Sequence, residues 1–272
     1  MKRLWLIALF FWANCLWAFS QNLALASLEP GSEPSSVKKF PQPTVMPLDL
    51  FREVNPIAEA SITSWNKLVE ELDLKASKTK DDLQLIRQIF QKSHQRLFKK
   101  YEQHSSFNAM LANGSFDCVS GSAAIGMLLD RYRIQHEIIE TDYHVFILAE
   151  VDGKKIVLES TLPVGGMITT PSEVEKYLAS YEPNQEESAS AYDRRLAGPV
   201  QSISDNTIFR KVSLQELAGL QFYNDAIVHF NSQAYTQAIS QLKQAYMLYP
   251  SERILGLMEL SQQLASNHSL IP

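Results

Sequence analysis

The chain has 272 residues, of which 45% are hydrophobic and 20% are charged, and its formal net charge at pH 7 is -5. This is enough apolar sequence to bury one substantial core together with a smaller module. The negative balance argues against a general binder of nucleic-acid backbones, which needs a clustered positive surface, so no nucleic acid is expected among the partners.

The N-terminus has the composition of a secretory signal peptide. Lys2 and Arg3 precede an apolar run over residues 4–19, and small residues follow at suitable cleavage positions. Cleavage after Ser20 is the first choice and cleavage after Ala26 the second. The alternative is an uncleaved anchor, although the run is shorter than the roughly 20 residues that span a bilayer comfortably. We therefore expect export to the periplasm or the extracellular space, with no membrane attachment beyond the signal peptide.

Removal of a signal peptide changes the cysteine count. The two cysteines are Cys15 and Cys118, and only Cys118 remains in the mature chain. A single thiol has no internal disulfide partner, and in an oxidising compartment it is a liability unless it is buried or useful. Cys118 is therefore the first candidate for a functional residue.

Composition divides the remaining chain into four parts. A Pro- and Ser-rich linker covers residues 21–47, and a folded domain covers residues 48–181. A second linker or long loop covers residues 182–212, and a helical module covers residues 213–272.

The folded domain begins with helical periodicity. Apolar spacing predicts one or two helices over residues 48–74, broken near Pro56, and a further helix that ends at about Tyr101. Thr79 or Asp81 can cap that further helix.

Residues 114–130 predict a turn followed by a buried helix that carries the cysteine near its start. Gly114 breaks the chain, Asp117 is a good N-cap, and Cys118 occupies the first helical turn. There, unpaired backbone N–H groups and the positive end of the helix dipole favour the thiolate. A lone cysteine in an apolar helix is also commonly a small buried hydrophobe, so this stretch alone does not decide its role.

The pattern then changes from helical to extended. Strands are predicted over residues 134–139, 143–151 and 155–160, and Asp152-Gly153 between the last two is a strong hairpin signal. Helices followed by an antiparallel sheet indicate an α+β fold, with a C-terminal helical hairpin after the sheet. The small residues at positions 121–124 would let a strand approach the helix of Cys118 closely, so we expect this helix to pack on the sheet.

The hairpin register decides whether His144 and Glu159 can meet. With a two-residue loop, paired residue numbers sum to 305, which places Glu159 opposite Phe146 and Thr161 opposite His144. His144 and Glu159 then share a face as diagonal neighbours, within reach of a long side chain. A four-residue loop keeps the shared face, whereas an unbulged three-residue loop separates them.

A thiol, a histidine and an acidic residue in this order can form a catalytic triad. The thiol is the nucleophile, the imidazole is the base, and the carboxylate fixes the tautomer of the histidine. Asp142 and Glu150 are alternative carboxylates, because they lie an even number of residues from His144 and therefore on the same face of its strand. They lie along that strand and not across from it, so they orient the imidazole less readily. Each residue also has an ordinary alternative, because His144 and Glu159 can simply face solvent.

Three motifs resemble the transglutaminase-like superfamily, which shares the papain-type cysteine-protease arrangement. They are FDCVSG at residues 116–121, YHVFI at residues 143–147 and LEST at residues 158–161. The resemblance covers residues 83–161, about a third of the chain. It implies that Cys118 is the nucleophile, His144 the general base and acid, and Glu159 the residue that orients the histidine.

The chain departs from the family pattern in two respects. The third member is more often aspartate, and the extra methylene of Glu159 shifts its carboxylate unless the strands compensate. No residue is assigned to the oxyanion hole. The backbone N–H of Cys118 and the side-chain amides of Asn113 and Gln103 are the candidates.

The C-terminal part has a resemblance of its own. Residues 219–252 resemble one tetratricopeptide repeat, a helix-turn-helix unit, and residues 254–264 resemble its capping helix. A single repeat does not bury its own apolar face, so we expect it to dock on the catalytic domain or on another protein.

Motifs for other chemistry are not found in the sequence. It has no phosphate-cradling glycine loop, no cysteine pair for zinc and no metalloprotease histidine spacing, so neither a cofactor nor a metal is expected.

These observations lead to two expectations about function. The first is an exported cysteine enzyme that acts on amide bonds of a protein or peptide substrate through a thioester intermediate. Water as the second substrate makes it a protease or amidase, and a lysine amine makes it a crosslinking transglutaminase; the breadth of the family favours hydrolysis. The second is a non-catalytic binding or assembly module whose C-terminal helices hold a protein partner.

Overall fold

The structure is a computed structural model that describes residues 47–181 and 208–268. The predicted signal peptide and its cleavage sites lie outside the described residues, as do the first linker except Pro47 and residues 182–207 of the second. The described residues belong to one compact unit. They form a mixed α+β structure with an antiparallel five-stranded sheet and a C-terminal helical region.

Three helices open the fold, and their bounds are α1 (Pro47–Glu53), α2 (Thr63–Ala76) and α3 (Asp82–Arg96). The predicted break near Pro56 falls between α1 and α2. Asp81 caps α3, since its extended backbone lets the side chain accept a hydrogen bond from the backbone N–H of Gln84 at 3.2 Å.

The chain after α3 differs from the prediction of a helix that continues to Tyr101. Lys100–Tyr101 forms β1, which pairs in parallel with β2 (Ser115–Phe116), and the short helix α4 (Phe107–Asn113) lies between them. Helical periodicity cannot reveal this pairing, because it depends on residues 15 positions further along the chain. Gly114 ends α4 with φ of 82°, a backbone conformation that favours glycine.

The central helix and sheet follow in the predicted order. Their bounds are α5 (Cys118–Arg131), β3 (His136–Thr141), β4 (Val145–Val151), β5 (Lys154–Leu158), β6 (Met167–Ile168), α6 (Pro171–Ala179) and β7 (Phe209–Val212). The strand order is β6-β5-β4-β3-β7, and all neighbours are antiparallel. The three predicted strands are present with ends shifted by no more than two residues.

The predicted hairpin register is confirmed. Asp152 and Gly153 form a two-residue turn with φ of 51° and 72°, as expected when both central residues adopt positive φ. Ile147 pairs with Leu158, so paired numbers sum to 305. Residues at the start of β4 and just after β5 therefore lie at one end of the sheet.

The edge strand β7 lies within the predicted linker of residues 182–212. Its four residues pair with β3, with Ile138 opposite Val212, and of these four only Val212 is buried. A strand this short and this polar has no clear alternation, so its pairing partner rather than its own sequence makes it a strand.

The sheet buries both of its faces. One face belongs to the main hydrophobic core through Ile138, Val145, Ile147, Ala149, Ile156 and Leu158. The other face packs against α6 through Ile139, Phe146, Leu148, Val157, Val174 and Tyr181. The central part of the sheet is therefore an inner layer, and the long apolar run Val145–Ala149 of β4 is buried throughout.

The C-terminal region consists of α7 (Leu214–Asn231), α8 (Tyr235–Leu248) and α9 (Glu252–His268). A Cβ atom on Gly219 of α7 would lie 2.6 Å from Cβ of Tyr249, so glycine permits this close approach. Of the helices in residues 47–181 and 208–268, none combines the length and the apolar character needed to cross a membrane.

Gln221 connects α7 to the N-terminal helices. Its side-chain oxygen accepts a hydrogen bond from the backbone N–H of Phe107 at 3.0 Å, and its side-chain nitrogen donates to the carbonyl of Phe51 at 3.0 Å. The amide is buried and both of its ends are satisfied, so it fixes α7 against α1 and the start of α4.

A buried carboxylate connects the sheet to the same region. Glu140 on β3 accepts hydrogen bonds from Arg210 of β7, from the hydroxyl group of Tyr249 and from Arg253 of α9. The guanidinium group of Arg210 also lies 4.6 Å from the centre of the Tyr249 ring. Removal of either arginine would leave the buried carboxylate with fewer compensating charges, so this cluster holds the two regions together.

Candidate active site

Cys118 is the first residue of α5, as predicted. Asp117 is the N-cap: its side chain accepts the backbone N–H of Ser120 at 2.7 Å, and the Ser120 hydroxyl group accepts the backbone N–H of Asp117 at 2.9 Å. This reciprocal pair is a capping box, which fixes the first turn of the helix. Cys118 is 8% exposed and forms no disulfide with any described residue.

Gly121 lets the start of α5 approach the end of β5. A Cβ atom at Gly121 would lie 2.7 Å from the hydroxyl oxygen of Ser160 and 2.9 Å from its Cβ. Ser122 adds a hydrogen bond from its hydroxyl group to the carbonyl of Val145 at 3.3 Å. These contacts place the first turns of α5 beside the ends of β4 and β5.

His144 and Glu159 meet at that end of the sheet. His144 directly precedes β4 and Glu159 directly follows β5, and both side chains are buried. Nε2 of His144 is hydrogen-bonded to Oε2 of Glu159. The prediction that these residues are diagonal neighbours on one face is confirmed.

The Glu159 carboxylate has further partners that hold it in place. Its Oε1 atom accepts the backbone N–H of Thr161 at 2.9 Å and the Thr161 hydroxyl group at 2.6 Å. Its Oε2 atom accepts the hydroxyl group of Tyr177, on α6, at 2.7 Å. The longer side chain of glutamate is thereby accommodated, with its carboxylate still directed at the imidazole.

His144 also interacts with the thiol. The Cys118 side chain acts with the Glu159 carboxylate to raise the pKa of His144, so the thiol and the imidazole are close enough to affect each other. Because Nε2 is bonded to Glu159, Nδ1 is the nitrogen available to the thiol. The Tyr181 ring stacks on the imidazole, with ring centres 6.2 Å apart and planes 18° from parallel. The imidazole is therefore bonded to a carboxylate at one nitrogen and covered by an aromatic ring.

The protonation states follow from burial and charge together. Burial raises the pKa of Glu159, but the positive charge of His144 and the hydrogen bonds from His144, Thr161 and Tyr177 outweigh it, and the pKa falls to about 2. Burial lowers the pKa of His144, but the Glu159 carboxylate and the Cys118 side chain outweigh it, and the pKa lies well above its ordinary value. At neutral pH the pair is an imidazolium beside a carboxylate.

The alternative carboxylates are placed elsewhere. The Asp142 carboxylate accepts the backbone N–H of Ile208 at 2.9 Å, and Glu150 is exposed near the far end of β4.

Of the side chains considered for an oxyanion hole, Asn113 accepts the backbone N–H of Ser115 at 2.8 Å. The other side-chain candidate, Gln103, lies two residues after β1. The parallel pairing of β1 with β2 continues beyond Tyr101 through the hydrogen bond from the backbone N–H of Glu102 to the carbonyl of Phe116 at 2.8 Å.

Two residues that support the site were not identified from the sequence. Thr161, two positions after Glu159, carries a local signal, because Ser and Thr commonly hydrogen-bond side chains that are two residues away. Tyr177 carries no such signal, since its position depends on how α6 packs over the outer face of the sheet. In the described part of the chain, no group of three or more His, Cys, Asp or Glu side chains is arranged to hold a metal ion.

Comparison of the chain with protein-family models, with curated proteins and with solved structures finds no match. The functional argument therefore depends on the residues and on their geometry.

Proposed function

We propose that this protein is an exported cysteine enzyme of the transglutaminase-like type that acts on amide bonds of a protein or peptide substrate. One observation carries the proposal. Cys118 begins a capped helix, its side chain contributes to the raised pKa of His144, and Nε2 of His144 is bonded to the buried Glu159. A nucleophile, a base and an orienting carboxylate in series are the elements that acyl transfer through a thioester requires.

The chemistry follows from these positions. The Cys118 thiolate attacks the carbonyl carbon of the substrate amide and forms a tetrahedral intermediate. The His144 imidazolium gives its proton to the departing amine, the carbon–nitrogen bond breaks, and a thioester remains. His144, now neutral, takes a proton from water, the resulting hydroxide displaces the thiolate, and a carboxylic acid is released. An amine in place of water gives a crosslink by the same steps.

We favour hydrolysis over crosslinking because of the breadth of the family that the three motifs resemble. The finer architecture belongs to the same proposal: a nucleophile helix packed on the antiparallel sheet, followed by a tetratricopeptide-like hairpin. Export to the periplasm or the extracellular space after removal of residues 1–20 is also proposed. An exported chain with one thiol is consistent with a functional Cys118.

A second candidate is a binding or assembly module without turnover. It is favoured by apolar side chains on the C-terminal helices that remain in water: Met247 on α8 is 65% exposed and Leu260 on α9 is 44% exposed. A protein partner at these helices would cover them.

The deciding experiment is the pH dependence of Cys118 alkylation by iodoacetamide in the mature protein, measured beside a His144→Ala variant. We expect half-maximal alkylation below about pH 7, and we expect the variant to lose this reactivity and behave as an ordinary thiol of pKa about 8.5. Cys118→Ala serves as the blank for labelling and should abolish turnover. A thiol that reacts only near pH 8.5 in the unsubstituted protein, with no dependence on His144, would reject the enzymatic proposal and favour the binding module.

A further inference from the structure

The carboxylate that caps the nucleophile helix is held partly by a residue of the C-terminal region. Asp117 is 2% exposed, and its Oδ1 atom accepts the backbone N–H and the hydroxyl group of Ser120, both at 2.7 Å. Its other oxygen, Oδ2, accepts the side-chain amide of Asn224 on α7 at 3.1 Å. A residue 107 positions away in the chain therefore completes the cap immediately before Cys118.

Asn224 lies near one further titratable group. Burial lowers the pKa of His104, in the segment between β1 and α4, and outweighs the opposing effect of the Asn224 side chain, so the imidazole is neutral at neutral pH. The Asp117 carboxylate therefore gains no positive charge from His104 at neutral pH.

The state of the Asp117 carboxyl depends on these donors. Burial raises its pKa to about 6, although the hydrogen bonds from Ser120 and Asn224 act in the opposite direction. Loss of the Asn224 donor removes one of the groups that favour the carboxylate. The other titratable groups near this end of the sheet and helix include Cys118, His144, Glu159 and Tyr177, together with His94 and His104. A protonated cap accepts the Ser120 N–H more weakly, and the first turn of α5 is then less firmly fixed.

We propose that Asn224 is a positioning residue for Cys118, which it holds in register with His144 by fixing the Asp117 cap. The proposal rests on the proposed function, because it assigns Asn224 a task in that reaction. The C-terminal helices then support the catalytic centre through Asn224. This role is separate from the binding of any protein partner to these helices.

The test compares Asn224→Ala with Asn231→Ala, a matched substitution of an exposed asparagine at the end of the same helix. The first readout is the rate of Cys118 alkylation from pH 5 to pH 9. The second is the carbon-13 signal of the Asp117 carboxyl group in aspartate-labelled protein, assigned with Asp117→Asn. Asn224→Leu keeps nearly the size of the side chain, removes the donor without adding a charge, and replaces Asn224→Ala if that variant does not fold.

We expect Asn224→Ala to lower the alkylation rate at pH 7 about ten-fold, the effect of losing one charged hydrogen bond. The Asp117 titration should move upward by at least about half a pH unit, and Asn231→Ala should change neither readout. A purely structural role would lower the melting temperature without moving the Asp117 titration. If the titration or the alkylation profile stays in place in a folded Asn224 variant, the proposal is wrong. The proposed function is judged separately by His144→Ala, so the two failures are distinguishable.

Discussion

Replacement of Glu159 by glutamine should remove the charge that keeps His144 protonated while preserving the shape of the site. The Oε2 atom of Glu159 accepts from both His144 and Tyr177, and Oε1 accepts twice from Thr161. A side-chain amide has only one accepting atom, so it cannot satisfy all of these donors. An NH₂ group facing Nε2 would favour the tautomer of His144 that carries its hydrogen on Nδ1, toward the thiol.

The size of the effect follows from the balance of forces on His144. Burial alone lowers its pKa, and Glu159 is the first of the groups that reverse this. Without the carboxylate, we expect a neutral imidazole at pH 6 and no imidazolium to stabilise the thiolate. A thiol without such a partner has a pKa of about 8.5, so about 0.3% of it is thiolate at pH 6. The rate of alkylation at pH 6 should therefore fall by up to about 300-fold.

The assay is alkylation of Cys118 by iodoacetamide at pH 6 and pH 9, with the thermal unfolding of each variant measured beside it. Glu150→Gln is the control, because it makes the same chemical change at an exposed position on β4. The difference in alkylation rate between Glu159→Gln and the unsubstituted protein should be largest at pH 6 and should nearly vanish at pH 9. Equal rates at pH 6 for a folded Glu159→Gln variant and the unsubstituted protein would refute the role assigned to the carboxylate.

Two further predictions concern how the site is supported. Tyr177→Phe removes the hydroxyl group that donates to the Glu159 carboxylate and should lower the free energy of unfolding by about 2 kcal/mol. Urea denaturation measures this, and Tyr246→Phe, at an exposed position on α8, should have little effect. Gly121→Ala places a methyl group within 3 Å of the neighbouring strand end and should cost about 1–3 kcal/mol and slow Cys118 alkylation. Gly256→Ala, in open space on α9, should instead stabilise the protein by up to about 1 kcal/mol, and an equal response of the two glycines would contradict the close packing.

The features that could be predicted from the sequence are those set by neighbouring residues. Asp117 caps its helix because the Ser120 N–H lies three residues ahead, and the hairpin register follows from Asp152 and Gly153 at the turn. These two local signals were enough to place Cys118 at a helix start and to bring His144 and Glu159 together.

The features that could not be predicted depend on pairing between distant parts of the chain. β7 becomes a strand only beside β3, and the short strand β1 requires β2. Tyr177 reaches Glu159 only because α6 folds over the outer face of the sheet. Asn224 lies within the stretch that resembles a tetratricopeptide repeat, but no sequence pattern links it to Asp117, 107 positions away. Hydrophobic repeats of 2 residues in strands and of 3.6 residues in helices indicate which face of an element is buried. They do not indicate which other part of the chain covers that face.

The buried amide of Gln221 has a consequence for the order in which the protein is assembled. Its two hydrogen bonds connect Gln221 to Phe107, which lies 114 positions earlier in the sequence, and to Phe51, which lies 170 positions earlier. Both connections close long loops. Contacts between such distant residues slow folding, because the entropy of loop closure is lost before the contacts form. A chain that leaves the ribosome from its N-terminus cannot make them until α7 has been synthesised. The packing of α7 against α1 and the start of α4 therefore forms late, and the N-terminal helices lack this support during most of synthesis.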